Sequence, residues 1–363
     1  MKKNILGTVL MMSFLFITNE TVQARNNDNI FIEGRTSYSF FMAHRPNLQG
    51  YPNSHFLMQE INVGKKLGSE KEWFALYHHP NAGICLFFTD LGKNKYTGFA
   101  AATFAYIQFP YVRFKHSNFN FKLALGPGWI EKKFDRISNY KNVVTGTHLN
   151  AAIQLTQSYE WCISKQNYIA IGICLTHFSN GAFKLPNLGI NLAGLQLAYH
   201  YNFNEREIQA MERPVFEKKM NYIVNYSAGL KQVYPVLGKQ YFLSNLSLSG
   251  LYQYNGKRSF GVIADIFKDA SVFHQMQYDT DSTNNLKTNT QFGIGGVYEV
   301  MLGKFSIPLI AGFYVYNNYK VLPVMYLKFG LNYYLTKNIN INFNLKSHYA
   351  KADYFSYGIG YKF

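Results

Sequence analysis

The two segments nearest the C-terminus constrain the fold most. In "NININFNLKSHYA", Ile339, Ile341, Phe343 and Leu345 alternate with Asn338, Asn340, Asn342, Asn344 and Lys346. In "DYFSYGIGYKF", Phe355, Tyr357, Ile359, Tyr361 and Phe363 share one face, and Ser356, Gly358, Gly360 and Lys362 the other. Successive side chains of a strand point to opposite faces, so each segment has one apolar and one polar side. Over about ten residues this is the pattern of a membrane-spanning β-strand, apolar toward lipid and polar toward the lumen. A water-soluble sandwich also alternates, with its apolar face packed inside. Composition separates the two. Aromatic residues make 17% of the 363-residue chain, with 29 Tyr and 31 Phe, and charged residues only 15%. An ordinary soluble domain carries about 25% charged residues. Something other than water must cover part of this surface.

The N-terminus agrees with export. Lys2 and Lys3 precede the apolar run "ILGTVLMMSFLFI", and "VQA" ends at Ala24. This is the layout of a secretory signal peptide, residues 1–24, cleaved after about Ala24. The run is shorter than the roughly 20 residues of a membrane-spanning helix. Strand-like segments then recur throughout, and a closing strand that ends in Phe363 resembles the C-terminal signal of outer-membrane barrel proteins. The expected fold is all-β, a transmembrane antiparallel β-barrel of the bacterial outer membrane. About 14–16 strands form one barrel, an even number as single-chain bacterial barrels require. The alternative is two eight-stranded halves. With both termini periplasmic, "YNGKR" (254–258), "LGK" (302–304) and "TKN" (336–338) are tight periplasmic turns. The stretches 269–289 and 316–323 lie outside. The charged stretch 204–219 is a periplasmic linker between an N-terminal half (25–203) and a C-terminal half (220–363).

Without residues 1–24 the chain loses Lys2, Lys3 and Glu20, leaving 34 basic and 19 acidic residues, a formal charge of +15. Such a balance suits an anionic partner. For an exported protein that partner is anionic lipid rather than nucleic acid, although lumen and loop lysines can equally serve solubility. Cys85, Cys162 and Cys174 are too few and too irregular for a disulfide framework. Cys162 and Cys174 are placed to approach one another across neighbouring strands; small barrel residues are the simpler reading.

One strand breaks the apolar rule at its end. In "ICLTHFSNGAFKLPNLGIN", His177 and Ser179 continue the face of Ile169, Ile171, Ile173 and Leu175. On the following strand Asn191 opens the face of Ala193, Leu195, Leu197 and Tyr199. Antiparallel pairing brings residues 177–179 and 191 together, pointing toward lipid near the outer membrane surface. An imidazole and an amide against hydrocarbon cost several kcal/mol unless each finds a hydrogen-bond partner. A His–Ser–Asn cluster supplies those partners and also has the parts of an acyl-transfer site. Ser179 is the nucleophile, His177 the general base and Asn191 the group that fixes its tautomer. Asn180 and main-chain N–H groups of "SNGA", such as that of Gly181, are candidate oxyanion donors. The plain alternative is a few polar residues at the membrane–water boundary, where polarity costs little.

"THFSNGAFKLPNLGIN" resembles the active-site motif of the lipid A 3-O-deacylase (PagL) family, outer-membrane barrels that remove an ester-linked acyl chain from lipid A. The pattern is His, any residue, Ser and Asn, then a Pro-Asn turn and Gly-Ile before the third triad member. The resemblance implies His177 as base, Ser179 as nucleophile and Asn180 as an oxyanion contributor. Asn191 stands where the best-known members carry Glu, and no Asp or Glu occurs from Trp161 to Asn204 to replace it. An amide orients an imidazole but stabilises its charged form less than a carboxylate does. "AGLKQVYPVLGKQY", "IADIFKDAS", "GKFSIPLIAGFYVYN" and "KSHYAKADYFSYGIGYKF" resemble the longer, two-part members of Bacteroidetes-type bacteria, described as acyloxyacyl hydrolases.

The remaining motifs read as structural. "SHYAK" (347–351) echoes "THFSN" (176–180), but Ala350 replaces the nucleophile and His348 lies on the Asn/Lys face, toward the lumen. Adjacent His78 and His79 would point to opposite strand faces, which is poor metal-ligand geometry, and no metal or other cofactor is expected. "LGPGW" (125–129) reads as a bulge or bend. Lys184 is a weak candidate for contact with a lipid A phosphate. The expected function is an outer-membrane serine esterase that hydrolyses an ester-linked acyl chain of lipid A in lipopolysaccharide of the outer leaflet. The rival is a non-enzymatic channel or structural barrel with a degenerate site, which the Asn-rich lumen faces would suit.

Overall fold

The computed structural model describes residues 29–43, 48, 55–93, 95–204, 216–278, 289–319, 322–349 and 351–363. The leader expected over residues 1–24 lies outside them, as do residues 205–215 of the linker expected over 204–219.

Among the described residues, sixteen antiparallel strands form two closed barrels. The first comprises β1 (Ile30–Phe41), β2 (His55–Lys66), β3 (Asn81–Thr89), β4 (Ala100–Arg113), β5 (Ser117–Ile130), β6 (Leu149–Cys162), β7 (Asn167–Ser179) and β8 (Ile190–Asn202). The second comprises β9 (Lys219–Gln232), β10 (Gln240–Asn255), β11 (Arg258–Asp269), β12 (Thr290–Leu302), β13 (Phe305–Tyr316), β14 (Met325–Tyr334), β15 (Ile339–His348) and β16 (Lys351–Lys362). Short helices α1 (Glu72–Leu76) and α2 (Ser271–Tyr278) follow β2 and β11.

Sequence reasoning favoured one larger barrel, and the chain adopts the alternative of two eight-stranded ones. A strand has two edges. β8 gives one to β7 and the other to β1, from Phe31↔Asn202 to Phe41↔Leu192, so none is left for β9. β9 pairs instead with β10 and β16. Alternation reports which residues face out, not where the sheet closes. The inward residues did carry a hint. Phe56, Met58, Phe104 and Phe178 are buried in the first lumen, a face too apolar to line a wide aqueous channel.

Eight strands leave an interior just wide enough for side chains to fill. Both lumens are filled. In the first, Arg35 donates to Glu33, Gln196 and Gln108 at 2.5–2.9 Å, and Lys122 to Glu60 (3.0 Å) and Asn62 (2.8 Å). In the second, Lys328 meets Asp265 at 2.6 Å, and Lys231 bridges Asp269 (2.5 Å) and Asp353 (2.8 Å). Charges this deep are tolerable only when paired and hydrogen-bonded. The outer walls are the opposite: Ile171, Ile173, Leu195 and Leu197 are each more than half exposed.

The short turns expected at one end are present, with β10–β11, β12–β13 and β14–β15 joined by two to four residues. The two barrels touch at both ends. At the short-turn end Tyr77 OH donates to Met301 O at 3.0 Å. At the other end the β9–β10 loop meets the β7–β8 loop, where Gln232 N–H donates to Ala182 O at 2.8 Å. All three cysteines are free, and the register sets Cys162 opposite Tyr168 and Cys174 opposite Thr156, at different heights.

Candidate active site

The register of β7 on β8 places His177 directly opposite Asn191. Ala170, Cys174, Thr176 and Phe178 point into the lumen and are buried, so His177 and Ser179, of opposite parity, belong to the outer wall. His177 Nδ1 lies 2.5 Å from Asn191 Oδ1. An amide oxygen only accepts, so the ring proton sits on Nδ1 and the lone pair of the neutral ring on Nε2. Gly189, at φ +77°, lets the chain pass beneath the ring: a Cβ there would stand 2.8 Å from His177 Cε1.

Ser179 departs from the expected surface position. It shares the outer face, yet is only 7% exposed because the β7–β8 loop folds over it. Its Oγ receives the Asn187 side-chain N–H at 2.9 Å and the Gly181 N–H at 3.1 Å, and faces Asn187 Oδ1 at 3.3 Å. Asn187 was not among the residues singled out from sequence. The Pro-Asn of "LPNLG" was legible as a turn, but nothing in strand parity indicates that a loop amide returns to Ser179.

Asn180 and Gly181, the candidate oxyanion donors, have different surroundings. The Asn180 side chain donates to Lys184 O at 2.8 Å and Thr147 Oγ1 at 3.1 Å, and its N–H to Asn187 Oδ1 at 3.1 Å. It therefore ties the loop together. Gly181 N–H points at Ser179 Oγ itself, so of the two it is the group beside the expected reaction centre. Lys184 is half-buried in the loop and engages Asn180 through its backbone. The β5–β6 loop supports the far side: Gly189 N–H donates to Val144 O at 2.9 Å. In that loop the Ser138 and Ile137 N–H groups, with the Ser138 hydroxyl, hold the exposed Asp135 carboxyl below its usual range.

Along the wall from the His177–Asn191 pair runs a depression of 570 Å³, lined by Tyr38, Phe40, Leu155, Ile173, Leu175 and Leu195 among others. Its lining includes Ala193 and Gly194, a methyl group and a bare Cα that fill little space.

Other residues singled out from the sequence are also placed: His348 lies toward the lumen as expected, while His78 and His79 do not lie on a strand. His78 and His79 lie in the turn after α1 rather than on a strand, both at positive φ, and His79 Nδ1 meets Gly68 O at 2.8 Å. "LGPGW" stays within β5, paired with β6 throughout, but its pairing to β4 lapses opposite Gly126 and Pro127, which has no N–H to give. His348 is buried in the second lumen, its Nε2 2.9 Å from Tyr314 OH. Among the described residues Glu33, Glu160 and His200 could group around a metal, with ligand atoms within 4.8 Å of one another. Arg35 already binds both Glu33 oxygens, so a guanidinium fills the place of a cation there.

Fold and geometry together define a class: small, side-chain-filled barrels with apolar outer walls, here with a serine, an imidazole and an amide gathered near one end of β7 and β8. A family model described as lipid A 3-O-deacylase (PagL) matches residues 59–200, and one described as acyloxyacyl hydrolase, C-terminal domain, matches residues 220–363. The chain belongs to the lipid A 3-O-deacylase (PagL) family. The matches divide as the barrels do. No curated protein matches the sequence. Among solved structures, a triple mutant of the Rhodopseudomonas blastica porin aligns at TM-score 0.18 and 8% identity, over 92% of this chain and 99% of the porin. A second mutant of that porin aligns at the same TM-score with 7% identity and the same coverage.

Proposed function

We propose that this chain is an outer-membrane serine esterase that hydrolyses an ester-linked acyl chain of lipid A, using Ser179, His177 and Asn191. The observation that carries the reading is the 2.5 Å bond from His177 Nδ1–H to Asn191 Oδ1, made on the outer face of β7 two residues before Ser179. Residues two apart on a strand are separated by roughly 7 Å along it, a gap that an imidazole and a hydroxymethyl group reaching toward each other can span. Family membership supports ester hydrolysis, and the mature charge of +15 suits a phosphorylated lipid.

The substrate's acyl chains lie along the depression by Ile173, Leu175 and Leu195, and the ester stands at headgroup height. Ser179 Oγ attacks the ester carbonyl carbon while His177 Nε2 takes the hydroxyl proton. Asn191 holds the ring in the tautomer that allows this and stays neutral throughout. The tetrahedral oxyanion finds the Asn187 side-chain N–H and the Gly181 N–H, both already beside Oγ. Collapse breaks the bond to the sugar oxygen, which leaves with the proton from His177. Water, deprotonated by His177, then hydrolyses the acyl-serine.

The test is the mass spectrum of lipid A from cells with and without the protein. Loss of one hydroxyacyl chain, abolished by Ser179→Ala, is the expected result; an unchanged spectrum sinks the proposal. The rival, a channel, meets two lumens crossed by ion pairs, and conductance steps in planar bilayers would revive it.

A further inference from the structure

We propose that the second barrel is a working part of this site, and that Gln232 is a positioning residue that holds the nucleophile loop. The inference rests on the esterase reading for its catalytic consequence. The loop from Asn180 to Asn187 connects Ser179 to the amide that meets its Oγ. Its own groups satisfy only part of its backbone: Asn180 O receives Phe183 N–H, and the Asn180 side chain serves Lys184. Three remaining groups are met by the second barrel. Gln232 N–H donates to Ala182 O at 2.8 Å, and Gln232 Oε1 accepts from Leu185 N–H at 2.7 Å. Gln240 Nε2 donates to Phe183 O at 2.7 Å. Gln232 is itself 4% exposed, and its amide N–H is fixed on Gly238 O within the β9–β10 loop.

Packing adds to the hydrogen bonds. Phe355 of β16 lies on Gly181, so closely that a Cβ there would stand 2.2 Å from its ring, and Gly181 has a φ of +61°. The loop is thus held from two sides. The β5–β6 loop of the first barrel fixes Leu188 and Gly189 through Val143 and Val144. The second barrel fixes residues 181–185. Asn187 lies between the two anchors, and its place over Ser179 Oγ depends on both.

A displaced Asn187 weakens oxyanion stabilisation, which is realised in the transition state, and leaves the lipid-binding wall intact. Misplacement of a catalytic group by about 1 Å can cost up to ~100-fold in rate. Gln232→Leu removes the acceptor for Leu185 N–H; Gln232→Glu keeps an acceptor and loses the donor to Gly238. The experiment compares the full-length wild type, Q232L, Q232E, Gln240→Ala and Ser179→Ala in detergent micelles. Each is checked for compactness by heat-modifiable gel mobility, then measured for kcat and KM on lipid A and for deuterium exchange of the 181–187 amides. Expected for Q232L are faster exchange in the loop, a kcat lowered by about 10–100-fold and a KM within about threefold of wild type. Q232E regains most of the kcat. Wild-type exchange in Q232L overturns the clamp whatever the activities are. So does an equal loss in Q232L and Q232E, or a loss carried by KM. Full turnover by Ser179→Ala overturns the esterase reading instead, and exchange alone then decides the clamp. Should Q232L not fold, Q232E and Gln240→Ala, with a smaller expected loss of about two- to fivefold, carry the same test.

Discussion

Each barrel carries a histidine near the end of its seventh strand, in "THFSN" on β7 and "SHYAK" on β15 and the residues after it. The two histidines do opposite things. His177 lies on the outer wall, bonded to an amide of the next strand and two residues from a serine of the same face. His348 lies inside, bonded to Tyr314 OH at 2.9 Å and 3.8 Å from the Asp353 carboxylate. The difference is one of parity. On β7 the apolar residues Ile171, Ile173 and Leu175 are in phase with the histidine; on β15 Ile341, Phe343 and Leu345 are out of phase with it. Since the side-chain period of a strand is 2, one step of register moves a residue from lipid to lumen. A like motif therefore yields a candidate reaction centre in one barrel and a lumen brace in the other.

The sharpest way to break this comparison is to remove the hydroxyl that only the first site has. Ser179→Ala should lower lipid A deacylation by roughly 10⁴-fold or more, to the level left by binding and oxyanion stabilisation alone. A loss below tenfold would mean that Ser179 is not the attacking group. The orienting amide comes next. Asn191→Leu keeps the size and deletes the acceptor for Nδ1–H, so kcat should fall by about 10²–10³-fold as the ring samples the wrong tautomer. Asn191→Glu should raise kcat severalfold, because a carboxylate stabilises the imidazolium that forms in the transition state. A fall would indicate that this site is built around a neutral third member.

Parity was legible in the sequence because it is a local property. The alternation of β15 and β16 and the outward turn of His177 and Asn191 follow from counting by twos, and strand pairing across the loop follows from its shortness. Two features were not legible, for one reason. Closure of the sheet at β8 and the return of Asn187 to Ser179 are decided by contacts between segments that no periodicity relates. The dependence of the β7–β8 loop on Gln232, about fifty residues on, is the extreme case. The motif names the residues of the loop, but only their three-dimensional placement separates Asn180, which ties the loop, from Asn187 and Gly181, which touch the hydroxyl.

The lumens extend the comparison from sites to stability. Lys122 pairs with Glu60 in the first barrel, and Lys328 with Asp265 in the second. Lys122→Met and Lys328→Met each leave a carboxylate buried without its cation, at a cost of about 3–5 kcal/mol. The barrels share no sheet, so urea titration in lipid vesicles should show two transitions, one lowered by Lys122→Met and the other by Lys328→Met. One common transition, shifted equally by both, would show that contacts such as Tyr77 on Met301 and Gln232 on Ala182 fuse the barrels into a single cooperative unit.

The smallest expected effect belongs to His348. The residue is 8% exposed, with Tyr314 and the Asp353–Lys346–Lys231 network around it. His348→Ala removes one hydrogen bond to Tyr314, a loss of about 1 kcal/mol from the second barrel. Deacylation should stay within twofold of wild type, measured on the same lipid A as Ser179→Ala. A tenfold loss with the barrels still compact would couple the second lumen to the reaction. It would also show that side-chain parity, which separates the two histidines here, does not settle which of them serves catalysis.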